Sequence, residues 1–138
     1  MTVRRAPRPI TLRDLLTHTS GLADVAAPRP DSSLAELVMA YAQQPLQFPP
    51  GSKWQYSNSG LNTLGRIVEV VSGQPYAEFL EERVFRPLDM KDTTFWPSRK
   101  QLKRVAKSYQ PRPNGGGLEE VPVYFIQVSL PDRRPTEF

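Results

Sequence analysis

The chain has 138 residues, 38% of them hydrophobic, with 15 prolines, no cysteine and a formal net charge of +4. That length builds one modest domain. The missing cysteines exclude disulfides, thiolate metal sites and a cysteine nucleophile, and no apolar run approaches the roughly 20 residues of a membrane span.

The opening residues Met1 to Pro9 are basic. No apolar stretch follows them, so they do not read as a signal peptide, and the sequence carries no address for a compartment. Thr11-Leu12-Arg13-Asp14 has the form of a capping box with Asp in the place of Glu. Leu12, Leu15 and Leu16 then share a helix face, and Gly21 offers a left-handed exit after His18-Thr19-Ser20. A second capping box, Ser33-Leu34-Ala35-Glu36, starts a helix with Leu34, Leu37, Val38 and Tyr41 on one side. Pro45 ends it.

Phe48-Pro49-Pro50-Gly51 predicts a turn, followed by an extended run through Trp54 and Tyr56. A third helix is expected from a Ser59 N-cap, with Leu61, Leu64, Val68 and Val71 as its buried stripe, Ile67 beside them, and Ser72-Gly73 as its end. Pro75 suits the first position of a fourth helix, where a missing N–H costs nothing. Tyr76, Phe79, Leu80 and Val84 would face inward, and Pro87 closes the element. Ser98 can cap one short basic turn. Val105 to Gln110 and Val121 to Val128 are β-prone, and Pro111 to Gly117 connects them. The reading is mainly α with a small β portion, helical over 10–96 and irregular over 97–138.

Tyr56-Ser57-Asn58 lies where the extended run meets the third helix. Side chains alternate in an extended segment, so Tyr56 and Asn58 project together and Ser57 turns away. A phenol can pass a proton, and a carboxamide can donate to and accept from a bound carbonyl. A free phenol titrates near ~10, so useful proton transfer needs a cation close by. Lys53 is three residues upstream and points to the other side of an extended strand, so that cation must come from elsewhere.

Other residues invite chemistry and read more simply as structure. His18 and Ser20 lack a third orienting group for a triad, and His18 reads as a loop histidine bonded to nearby backbone. Trp54 and Trp96 read as core or pocket-wall aromatics. Asp89, Asp92, Glu119 and Glu120 lack metal-ligand spacing, and no cofactor is expected. Arg99-Lys100-Gln101-Leu102-Lys103-Arg104 reads as a solvated basic face, so no nucleic-acid partner is expected.

From Ile10 to about Trp96 the chain resembles the serine β-lactamase-related family of class C-like β-lactamases, DD-peptidases and esterases. The resemblance rests on "ITLRDLLTHTSGL", on "FPPGSKWQYSNSGLNTLGRIVEVVSGQPYAEFLEERVFRPLDMKDTTF", and on Tyr56-Ser57-Asn58 as the Tyr-x-Asn motif. It implies part of the helical subdomain of an α/β (α+β) penicillin-binding, transpeptidase-like fold, here as one partial domain over 1–138. It also implies acyl transfer on amide or ester carbonyls of a small-molecule or peptide substrate, with Tyr56 and Asn58 as catalytic residues.

The family's acylated serine and activating lysine come from Ser-x-x-Lys, and a Lys-Thr-Gly or His-x-Gly strand lines the far wall. No serine or threonine in this chain has a lysine three positions on, and neither strand motif occurs. The chain therefore reads as a fragment, inactive alone, completed by missing sequence or a partner chain. With an incomplete sheet it should be marginally stable and expose apolar surface. The alternative is a non-catalytic binding or complementation module that retains the fold's cleft.

Overall fold

A computed structural model describes residues 7–25 and 32–121. Helix α1 (Leu12–Leu16) starts at the predicted capping box: the Asp14 N–H donates to Thr11 Oγ1, and the Asp14 carboxylate accepts from the Thr11 N–H. Helix α2 (Leu34–Ala42) starts at the second box, closed reciprocally by Ser33 and Glu36. Both boxes satisfy N–H groups that a helix cannot satisfy internally.

Helix α3 (Asn58–Ser72) ends at Gly73, whose φ of 71° is the left-handed conformation glycine adopts without strain. Its N-cap is Ser57, not Ser59 as the sequence suggested. Ser57 Oγ accepts from the Gly60 N–H at 3.2 Å, while the Ser59 side chain is fully buried. Helix α4 (Tyr76–Leu80) runs directly into a π-helical turn at Glu81–Phe85. Pro75 stands at its N-cap rather than one residue inside. A short helix, α5 (Arg99–Leu102), follows a Ser98–Gln101 box. Strands β1 (Ser108–Pro111) and β2 (Leu118–Val121) pair antiparallel, Tyr109 opposite Glu120. The glycine-rich link through Gly115, Gly116 and Gly117 turns the chain between them. The second strand begins earlier than expected, at Leu118, and the expected stretch after Val121 lies outside the described residues.

Helix α3 is the spine against which α1, α2 and α4 pack. Its packing face is built from small residues. A Cβ on Gly60 would stand 3.3 Å from the Leu15 carbonyl oxygen, and one on Gly65 would stand 3.0 Å from Leu34 Cδ1 and 3.6 Å from Tyr76 Cδ1. The expected stripe is therefore wrong at two places: Leu61 is exposed and Val71 is 82% exposed. Leu64, Ile67 and Val68 are half-buried. Periodicity marks apolar residues but cannot say that glycines let neighbouring helices approach on the adjoining face.

Among the described residues the buried apolar side chains are Leu15 and Tyr41. Tyr41 also accepts a 2.8 Å hydrogen bond from Asn62 Nδ2, tying α2 to α3. Leu12 and Leu16, predicted to share a face with Leu15, are exposed, because a five-residue helix touching α3 through one turn buries one leucine. Trp54 and Trp96 are also largely exposed and so are not core residues. No helix among the described residues is long and apolar enough to cross a membrane.

Candidate active site

The Tyr56 hydroxyl donates to Asn58 Oδ1 at 3.2 Å. Ser57 between them is extended, with φ −150° and ψ 120°, and its side chain is buried while both neighbours are exposed. The expected alternation thus holds across a helix start rather than within a strand. Asn58 is the first residue of α3. Since Oδ1 accepts from the phenol, the Nδ2 donors of Asn58 face outward with no hydrogen-bond partner among the described residues. They could meet a carbonyl oxygen brought to this rim.

The pair is held from behind by the segment after α1. His18 lies at φ 57°, and its Nδ1 accepts the Ser57 N–H at 3.3 Å. Its carbonyl accepts from the Gln55 N–H at 2.9 Å. The imidazole lies 4.7 Å from the Tyr56 ring, tilted by 37°, and meets Trp54 edge-on at 6.2 Å. His18 is therefore a loop histidine bonded to backbone, as its sequence setting suggested, and it also supports the tyrosine. No Ser–His pair forms with Ser20, whose Oγ instead accepts from the Leu22 N–H.

The residue that sequence reasoning missed is Asp24. Its Oδ1 accepts the Ser59 N–H at 2.6 Å and the Ser57 hydroxyl at 3.3 Å, and its Oδ2 accepts the Asn58 N–H at 3.1 Å. A carboxylate over the first turn of a fifteen-residue helix satisfies orphan N–H groups and opposes the helix dipole. Its partners lie 33 to 35 positions away in sequence, so no local spacing could have revealed it.

Two carboxylates in this region are biased toward ionisation. Partial burial pushes Asp24 up, but the donors of Ser59, Asn58 and Ser57 outweigh it and hold the group below its ordinary 3.8. Asp14 is held far below the usual carboxylate range, first by the Arg8 guanidinium, which binds it at 2.7 and 2.8 Å, then by Thr11. Groups depressed in the folded state add stability that is fully present above the unfolded pKa and lost as pH falls below it. The melting temperature should be flat above about pH 5 and fall once the pH drops below about 4. Asp14→Asn should be less stable at neutral pH and show a shallower acid fall. A melt series from pH 7 to 2.5 checks both, and an unchanged acid slope would contradict the assignment.

Lys53 does not approach Tyr56. Its Nζ donates to Gln55 Oε1 at 3.2 Å and lies 5.6 Å from the centre of the Phe48 ring. Downstream, Arg104 forms a bidentate pair with Asp92 at 2.7 and 2.8 Å. A cleft of about 420 Å³ beneath the π turn is lined by residues including Glu81, Arg86, Asp89 and Lys91, and contains neither Tyr56 nor Asn58.

Short helices packed on one spine, with a small two-stranded sheet beyond them, form part of the helical portion of a penicillin-binding, transpeptidase-like fold. The chain belongs to the beta-lactamase family, whose profile matches residues 3–126. It is 40% identical over 101 residues to a lovastatin esterase of Penicillium rubens, covering 65% of this chain and 25% of that protein. It is 38% identical over 104 residues to the D-alanyl-D-alanine-carboxypeptidase/endopeptidase AmpH of Escherichia coli, covering 70% and 27%. The crystal structure of FmtA from Staphylococcus aureus superposes with a TM-score of 0.70 at 27% identity, covering 90% of this chain and 34% of that one. The chain thus spans about a quarter of the length of these curated relatives.

Proposed function

We propose that this chain supplies the Tyr-x-Asn edge of a serine-hydrolase site acting on ester or amide carbonyls. The observation that carries the reading is the exposed Tyr56–Asn58 pair, bonded at 3.2 Å on the first turn of α3. Asn58 Nδ2 donates to the substrate carbonyl and fixes its face. Tyr56 Oη relays the proton between the attacking serine and the leaving group. The serine and the ammonium group that keeps the phenol competent come from outside these residues, because no Ser-x-x-Lys occurs among them. The chain by itself therefore forms no acyl-enzyme. Relatives named as an esterase and as a carboxypeptidase/endopeptidase support both carbonyl classes as substrates.

A segment exchange tests this. Residues 10–96 replace the corresponding segment of a complete family member that keeps its own Ser-x-x-Lys and far-wall strand. The chimera should hydrolyse a p-nitrophenyl ester and form an acyl-enzyme. A folded chimera with no acylation would contradict the proposal.

A further inference from the structure

The connection between α1 and α2 grips the Tyr56–Asn58 pair at two points, one for each member. His18 presents Nδ1 to the Ser57 N–H at 3.3 Å and its ring face to Tyr56 at 4.7 Å. Asp24 holds the Asn58 N–H at 3.1 Å and the Ser59 N–H at 2.6 Å. We infer that His18 and Asp24 are positioning residues, His18 setting the orientation of the Tyr56 ring and Asp24 the first turn from which Asn58 projects. The inference rests on reading Tyr56 and Asn58 as the working pair.

The chemistry of each contact fits such a role. Nδ1 accepts only when it carries no proton, so the neutral ring carries its proton on Nε2. Tyr56 has no other ring contact among the described residues, and its phenol is otherwise anchored by one exposed hydrogen bond. An exposed aromatic held that way samples several χ1 wells unless something packs on its face. The Asn58 N–H has no acceptor within the helix, because Asn58 opens it. The carboxylate supplies the missing acceptor.

The backbone of His18 makes a clean variant available. At φ 57°, asparagine is the best-tolerated side chain after glycine, and its Oδ1 can accept the Ser57 N–H in place of Nδ1. His18→Asn therefore keeps the hydrogen bond and removes the ring, whereas His18→Ala removes both. Asp24→Asn leaves one neutral acceptor oxygen for two backbone donors.

The experiment is NMR on the full 138-residue chain, reading the His18 ring nitrogens, the χ1 couplings of Tyr56 and Asn58, and amide exchange along α3. In the unsubstituted chain His18 should show an unprotonated Nδ1 and Tyr56 a single χ1 well. His18→Asn should average the Tyr56 couplings while the Ser57 amide stays protected. His18→Ala should average them too and speed Ser57 exchange about tenfold, the size expected for one lost hydrogen bond. Asp24→Asn should speed Asn58 and Ser59 exchange and average the Asn58 couplings, with Tyr56 still ordered.

Protection of Ile67 and Val68, deep in α3, reports whether each variant is folded. If Asp24→Asn fails to fold, Asp24→Glu, which displaces the carboxylate by one methylene, replaces it, and unmoved Asn58 couplings in the folded variant would overturn the role of Asp24. Tyr56 couplings unchanged in His18→Asn and His18→Ala, or a proton on His18 Nδ1, would overturn the proposal. These measurements read position without chemistry. An inactive chimera would count against the site reading, and unmoved couplings would count against the positioning.

Discussion

Tyr56→Phe, made in the segment-exchange chimera, is expected to slow acylation by about 10²- to 10⁴-fold, the range for losing a positioned proton-transfer group. Its melting temperature should hardly move. The hydroxyl lost is on a side chain 56% exposed, and its one hydrogen bond, to Asn58, is also exposed. Substitutions of that kind usually change stability by no more than about 0.5 kcal/mol. The prediction is therefore a split: a large loss in acylation rate beside an unchanged melt. Asn58→Ala should act differently, weakening substrate binding as well as the rate, because its donors meet the carbonyl before the transition state forms. Stopped-flow acylation with a chromogenic ester separates the two variants. Wild-type acylation by Tyr56→Phe would remove the phenol from the mechanism.

Gly21→Ala is expected to destabilise the chain by about 3 kcal/mol, a large share of a small domain's stability. Gly21 lies at φ 75°, and a Cβ there would overlap the Phe48 carbonyl oxygen, which is backbone and cannot swing aside. The neighbouring Gln47 N–H donates to the Gly21 carbonyl at 2.9 Å, so the two segments are locked together. Gly73→Ala is the matched control. Its φ is 71°, yet a Cβ there meets nothing within 4 Å, so only the left-handed strain of about 1–2 kcal/mol applies. Thermal melts of the two variants give the difference directly. Equal losses would show that the Phe48 contact is absent in solution. The contact matters beyond stability, because Gly21 begins the run to Asp24, which binds the Asn58 and Ser59 N–H groups at the start of α3.

Much of this fold could be read from local patterns. Three-residue spacings such as Thr11 to Asp14 and Ser33 to Glu36 announce capping boxes, because the bonds they make are local. Gly73 after a long apolar-periodic run marks an end for the same reason. Reading failed where the deciding partner was remote. Ser59 looked like the cap of α3, but Ser57 takes that place, and Asp24 binds the Ser59 N–H from another segment. Val71 fitted the periodicity and is exposed, since the helices meet α3 over Gly60 and Gly65 instead. The start of the second strand was placed late because Val121 to Val128 is rich in β-formers. The observed strand includes Glu119 and Glu120: Gln110, the cross-strand partner of Glu119, and Lys107, just before β1, donate to their carboxylates at 2.7 Å.

The site divides in the same way. Tyr56 and Asn58 stood out because they are two apart at a change of secondary structure. The hydrogen bond between them agrees with that alternation. Their supports were invisible as supports. His18 was legible as a backbone-bonded loop residue, but its stack on Tyr56 needed the fold to bring positions 18 and 56 together. Asp24 offered no spacing signal at all.

The measurement that bears most directly on the account is covalent labelling of the purified chain. Incubation with a fluorescent penicillin and, separately, with a fluorophosphonate, read by intact mass, should leave the protein unmodified. On the proposed reading the phenol and carboxamide are supplied here and the attacking serine is supplied elsewhere, since no Ser-x-x-Lys occurs in these 138 residues. A stoichiometric adduct on any serine of this chain would show that it carries its own attacking group, and would contradict the account.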